Sequence, residues 1–218
     1  MVTLVLGHGI GAQDDQLQWY SAARAKWLPM RGVSWAPYYW EDLRNPPTEK
    51  DLKDGRTFGW SQWGALSAFS DLITYGNVRY LAFKRLEALI DEIEGDVVLV
   101  FHSLGSVLAY QFLALLKEQP QVKGLITLGS PIGRQPVCGK IKKTLRVPWW
   151  KSLPGLGEAT PWVNITGGSD LVTSWFGGGI ISEADTNMVV PFAGHDLTAY
   201  IGSKEFRQAV RGLVNQCG

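Results

Sequence analysis

The sequence predicts an α/β domain built on about six mainly parallel strands flanked by helices. Three observations carry this reading. Short, continuously apolar runs at 2–6, 97–101 and 122–128 alternate with stretches of helical composition. Runs apolar at consecutive positions belong to strands covered on both faces, as in parallel sheets joined by helical crossovers. The glycine-rich or polar loops at 7–11, 102–105, 129–133, 167–173 and 191–196 each follow a strand signal, at the strand ends where open α/β sheets hold their chemistry.

Taken in order, Val2-Thr3-Leu4-Val5-Leu6 reads as a strand ended by Gly7-His8-Gly9-Ile10-Gly11. Residues 16–28 have helical periodicity, with Leu17, Tyr20, Ala23, Ala25 and Trp27 as core candidates. Residues 32–38 read as a second strand, and Asn45-Pro46-Pro47-Thr48 opens a polar loop ending near Arg56. Two helices are expected at 60–73 and 78–93, separated by Gly76-Asn77. The strand at 97–101 precedes a helix at 104–117, and 122–128 is another buried strand. Residues 133–160 show no clear periodicity, 162–166 and 187–191 are further strands, and a helix at 204–215 closes the chain.

At 218 residues the chain fits one domain with a sizeable core. A net charge of +1 gives no indication of nucleic acid or a strongly acidic partner. No apolar run approaches the roughly 20 residues needed to span a bilayer. The N-terminus enters strand-like sequence without a basic segment or cleavage site. The expected location is therefore the cytoplasm, with a processed secreted form as the alternative. Cys138 and Cys217 lie far apart without metal-ligand spacing. They read as unpaired thiols, a single disulfide being the alternative.

The stretch Val97-Val98-Leu99-Val100-Phe101-His102-Ser103-Leu104-Gly105-Ser106 is the most informative. A buried strand, a one-residue hinge and a helix are the setting in which a nucleophile elbow has meaning. The turn lifts the Ser103 hydroxyl out of the sheet, and the Leu104 N–H at the helix start can stabilise an oxyanion. Gly105 supplies the small residue needed two positions after the serine, but Phe101 does not supply it two positions before. The plainer reading of Ser103 is a helix cap. A serine nucleophile needs an imidazole to take its proton and a carboxylate to orient that imidazole. His195 is the only histidine after the elbow; its alternative is a structural role. Asp170 follows the turn-rich Thr166-Gly167-Gly168-Ser169, where an aspartate is also an ordinary turn residue. Asp185 lies too close to the start of the last strand to compete, and Asp196 is adjacent to His195. His8 and His102 read as packed, hydrogen-bonded loop residues.

With these landmarks in place the chain resembles the α/β-hydrolases, more narrowly the small bacterial lipase- or esterase-like ones. The resemblance covers nearly the whole chain through Leu6-Gly7-His8-Gly9-Ile10-Gly11, Tyr39-Trp40-Glu41-Asp42, the elbow, Leu128-Gly129-Ser130-Pro131, Asn164-Ile165, Asp170 and Gly194-His195-Asp196. The family order is nucleophile, acid, histidine, which Ser103, Asp170 and His195 follow. The first strand here corresponds to the family's third, which implies a minimal version of the fold. The resemblance implies a serine hydrolase cleaving carboxylic esters through an acyl-enzyme. Ser103, Asp170 and His195 would be catalytic, the N–H groups of Ile10 and Leu104 would form the oxyanion hole, and no metal or cofactor would be needed. An acyltransferase or thioesterase with the same triad, or a catalytically silent binding protein, are the alternatives. Phe101 stands where the family usually has Gly or Ala, so its ring must pack under the turn or against a neighbouring strand, with either a slightly reshaped elbow or a compensating small residue nearby.

Two segments bear on substrate and partners. Trp35, Tyr38, Tyr39, Trp40, Trp60 and Trp63 concentrate aromatic surface, some of it better explained by core packing. Residues 140–151 are basic and aromatic, and read either as part of an apolar lid or lipid-surface contact, or as a solvated loop with a tryptophan anchor. Candidate lid or cap segments are 41–76 and 133–160, and 175–179 reads as a mobile loop near the acid. The expected partners are a small-molecule ester or lipid substrate and peripheral contact with a lipid surface, without nucleic acid.

Overall fold

The computed structural model describes residues 1–9, 18–27, 29–40, 64–116, 119–174 and 179–217. It contains strands β1 (Val2–Gly7), β2 (Val33–Tyr38), β3 (Asp96–His102), β4 (Val122–Leu128), β5 (Trp162–Gly167) and β6 (Thr186–Val190). The helices are α1 (Gln18–Ala25), α2 (Gly64–Asp91), α3 (Leu104–Leu115), α4 (Gln135–Leu145), α5 (Leu171–Ser174), α6 (Leu197–Ile201) and α7 (Lys204–Val214). The strands form one sheet in the order β2-β1-β3-β4-β5-β6, and every neighbouring pair is parallel. The expected parallel sheet of about six strands is therefore present.

Side-chain alternation divides the core between the two faces. Val5, Val97, Leu99 and Phe101 face a layer that includes Val78, Ala82, Leu86 and Ile90 of α2 and the apolar residues of α3 and α4. Leu4, Leu6, Val98 and Val100 face Tyr20 and Ala23 of α1 and the residues of α6 and α7. The chain leaves β1 toward one sheet edge and, from β3 onward, builds toward the other. The direction of winding thus reverses between β1 and β3, the place where open α/β sheets hold their ligands.

Three expectations from the sequence are corrected. The helices expected on either side of Gly76-Asn77 are one continuous helix, α2. An interior glycine costs only about 1 kcal/mol relative to alanine, and the four-residue spacing of Val78, Ala82, Leu86 and Ile90 anchors the segment to the sheet. Within 133–160, α4 is an eleven-residue crossover between β4 and β5. Its signals are short but present: Pro136 in the first turn, Lys142 and Lys143 in the last, and buried Val137 and Ile141 four residues apart. Ala25, expected in the core, is exposed, whereas Tyr20, Ala23 and Trp27 are buried; Leu17 lies outside the described residues.

Several aromatic residues serve the fold. The Tyr38 hydroxyl donates to Ala82 O at 2.6 Å and Trp40 Nε1 donates to His8 O at 3.0 Å, while Trp35 packs against Trp27 and Phe206. Trp60 and Trp63 lie outside the described residues, as do most of the candidate segment 41–76 and of the loop 175–179. Both cysteines are free. Among the described residues no helix is long and apolar enough to cross a membrane.

Candidate active site

The site begins with a strained backbone. Ser103 lies between β3 and α3 at φ 54° and ψ −132°, a region that L-residues occupy at a cost of about 1–3 kcal/mol. Its surroundings hold it there. The Ser103 N–H donates to Leu128 O at 2.9 Å, and the Ser106 N–H and hydroxyl both donate to Ser103 O. Ser103 stands at the N-cap position of α3, yet its side chain makes no capping bond. The hydroxyl points elsewhere, toward His195.

Ser103 Oγ is 2.8 Å from His195 Nε2, and His195 Nδ1 is 2.9 Å from Asp170 Oδ2. An ionised carboxylate can only accept, so the proton lies on Nδ1 and leaves Nε2 to accept from the serine hydroxyl. The three residues follow three different strands, β3, β5 and β6, and meet above the sheet. Ser103 is 6% exposed, the His195 side chain 10% and the Asp170 side chain 0%. The acid is dry, while the other two border the opening.

Asp170 has three donors. Val172 N–H bonds Oδ1 at 2.8 Å, and the Tyr200 hydroxyl joins His195 on Oδ2 at 2.5 Å. Burial alone would raise the Asp170 carboxyl, but the bonds from His195, Tyr200 and Val172 outweigh it and hold it below its ordinary value. The Tyr200 hydroxyl is pushed well above its ordinary value by burial and by this carboxylate, so it remains a donor. Gly129, at φ 54°, lines the point where these groups converge. A Cβ there would lie 2.9 Å from Asp170 Oδ2 and 3.2 Å from His195 Nδ1. Tyr200 was not legible as a site residue. The only signal is its place five residues after His195, in a helix too short to show a periodic pattern.

The competing aspartates have other employment. Asp185 Oδ2 accepts from Trp162 N–H at 2.7 Å. Asp196 caps α6 by accepting from Thr198 N–H.

His102 ends β3, its ring tilted by 37° against that of His195 at a centroid separation of 4.6 Å and 5.1 Å from the ring of His8. Burial, reinforced by the two neighbouring imidazoles, holds it well below the ordinary imidazole value, so it stays neutral. The expected hydrogen bonding is corrected here: neither His102 nitrogen has a partner among the described residues. The ring acts as a packed plate that restricts His195. His8 does bond, through Nδ1 to Gly9 O at 3.1 Å.

On the opposite side of Ser103 is Gly9. A Cβ on Gly9 would lie 2.7 Å from Ser103 Cβ, 3.0 Å from Leu104 N and 3.1 Å from Ser103 Oγ. The missing side chain thus lets the loop after β1 come close to both the hydroxyl and the Leu104 N–H without blocking either. Ile10, expected to give the second oxyanion donor, lies outside the described residues. Among the described residues no group of three or more metal-ligating side chains forms.

Phe101 is accommodated through the sheet register. It lies beside Gly7 of β1, and a Cβ on Gly7 would clash with its ring, 2.5 Å from Cδ1 and 2.8 Å from Cζ. The small residue absent before the serine is supplied by the neighbouring strand.

The fold is shared with known structures. The chain aligns over 99% of its length, and 90% of the other chain, with a YdeN-like hydrolase of Pectobacterium atrosepticum at 17% identity and a TM-score of 0.54. It aligns over 98% of its length, and 94% of the other chain, with a monoacylglycerol lipase of Paleococcus ferrophilus at 14% identity and a TM-score of 0.52. A polyneuridine aldehyde esterase variant aligns over 99% of both chains at 13% identity and a TM-score of 0.50. No protein-family model matches the sequence, and no curated protein matches it either. The chain has the α/β-hydrolase fold.

Proposed function

We propose that this protein is a serine hydrolase that cleaves carboxylic esters through an acyl-enzyme. The observation that carries the reading is the continuous chain of contacts from Ser103 Oγ through His195 to the buried Asp170 carboxylate. Ser103 Oγ attacks the ester carbonyl carbon as its proton passes to His195 Nε2. The carbonyl π electrons move to oxygen, and the Leu104 N–H stabilises the resulting oxyanion, with the Ile10 N–H as second donor. Collapse expels the alkoxide, which takes the proton from His195. Water then attacks the acyl-serine by the same route, releasing the acid and restoring the hydroxyl. Asp170 keeps His195 in the required tautomer and stabilises the imidazolium. Leu171, which opens α5 directly after Asp170, and Phe192, on the loop before His195, are apolar and 66% and 93% exposed, which favours an ester with an apolar acyl group.

A fluorophosphonate probe tests the reaction class. It is expected to label the wild type and spare Ser103→Ala; a folded wild type that is not labelled would overturn the proposal. A p-nitrophenyl ester series of increasing chain length then separates short-chain esterase from lipase behaviour.

Tyr200→Phe keeps the buried ring but removes one of the three donors to Asp170. A hydrogen bond to a charged group contributes about 1.5–3 kcal/mol. Only part of this is expressed in the transition state, so kcat should fall about 10-fold with KM nearly unchanged. Steady-state kinetics on a soluble ester reads this directly, and an unchanged kcat would remove Tyr200 from the machinery.

A further inference from the structure

Charge is balanced over the whole chain but not along it. Residues 119–157 contain seven of the 21 Lys and Arg and none of the 20 Asp and Glu. Within this stretch α4 ends at Arg146, whose φ of 55° turns the chain sharply, and the chain continues as Val147-Pro148-Trp149-Trp150-Lys151. Trp149 is 82% exposed and Trp150 68%. The two indoles stand edge to face, 5.7 Å apart at 88°. This is a built turn. Val147 N–H donates to Lys142 O, Lys151 N–H donates to Pro148 O, and Lys142 Nζ donates to Trp149 O at 3.1 Å. Lys143, Arg146 and Lys151 are exposed around it. Glu183, whose charge acts with that of Lys142 on Cys138, is occupied by Leu153 N–H.

We infer that this turn docks the protein on an anionic phospholipid bilayer. Indoles combine an apolar ring with a polar N–H and settle at the headgroup level of a membrane. Lysine and arginine stems lie along apolar surface while their charges meet lipid phosphates. Size favours a bilayer over a protein partner. Two tryptophans bury at most roughly 500 Å², whereas a stable protein interface needs about 800 Å² on each side. A membrane accepts a small wedge without a complementary surface.

Vesicle flotation of the full chain tests the inference and does not depend on ester cleavage, so its failure is separate from failure of the proposed chemistry. The protein is expected to float at low salt with vesicles of phosphatidylcholine and phosphatidylserine in equal parts, and to stay behind with phosphatidylcholine alone. Lys143→Gln/Arg146→Gln should weaken partitioning about 30-fold. Trp149→Ala/Trp150→Ala should weaken it at least about 10-fold. All four side chains lie outside the buried core, so both variants should keep the wild-type urea midpoint and the wild-type kcat on a water-soluble ester. Equal flotation with both vesicle types, no flotation, or flotation that neither double variant alters would overturn the inference. So would single-stranded oligonucleotide binding or self-association through this turn without vesicle binding.

Discussion

Gly9→Ala is expected to lower kcat/KM for a short p-nitrophenyl ester by about 10²–10³, the loss that follows removal of one oxyanion-hole donor. The added methyl would stand 3.0 Å from Leu104 N and 3.1 Å from Ser103 Oγ, in the space between hydroxyl and donor that an ester carbonyl must enter. It would also press on Ser103 Cβ, so the loop after β1 has to yield. That loop lies beyond the end of its strand, and its movement leaves the sheet intact. Far-UV circular dichroism should therefore be unchanged while fluorophosphonate labelling slows in parallel with turnover. A folded Gly9→Ala protein with wild-type kcat/KM would mean that the reacting carbonyl does not bind in this space.

Gly7→Ala should have its large effect on stability instead. Phe101 is fully buried between β1 and α3, with Gly7 beside it in the sheet and Tyr38 5.6 Å away between ring centroids. A methyl at position 7 has nowhere to go, because both residues sit on central strands. Overpacking costs about 1–3 kcal/mol, and a site this rigid should reach the upper end, a fall in Tm on the order of 5–10 °C. Phe101→Ala alone should cost about 3–5 kcal/mol by opening a cavity. In the Phe101→Ala background, however, Gly7→Ala should be neutral or stabilising, since the methyl then fills vacated space. Urea unfolding of the four proteins closes this cycle. Equal destabilisation in both backgrounds would show that the two positions are independent.

These two positions also mark where sequence reasoning stops. Strands β1, β3 and β4 were legible because burial on both faces leaves nearly continuous apolar runs. Ser103 was legible because it follows such a run, and Asp170 and His195 because each follows a shorter strand signal ended by a turn. The exchange of size between Gly7 and Phe101 was not, since it acts between strands far apart in the chain and depends on the register of β1 against β3. Tyr200 was hidden similarly: a tyrosine in a five-residue helix carries no local sign that its hydroxyl reaches a carboxylate thirty positions earlier. Helix α4 escaped because its apolar stripe rests mainly on Val137 and Ile141 among glycine and lysines. The helix at 64–91 looks divided from sequence because Gly76 lowers local propensity, whereas packing of the following turns on the sheet keeps it continuous. Tertiary packing outweighs propensity of that size.

The backbone at Ser103 has a consequence for how this sequence can drift. At φ 54° a glycine would sit without steric penalty, so glycine at position 103 would relax the turn, and stability alone favours losing the side chain there. A serine at that position sits uphill of what the chain alone would choose, and use of the hydroxyl, as in the reaction proposed above, is the counterweight that keeps it there.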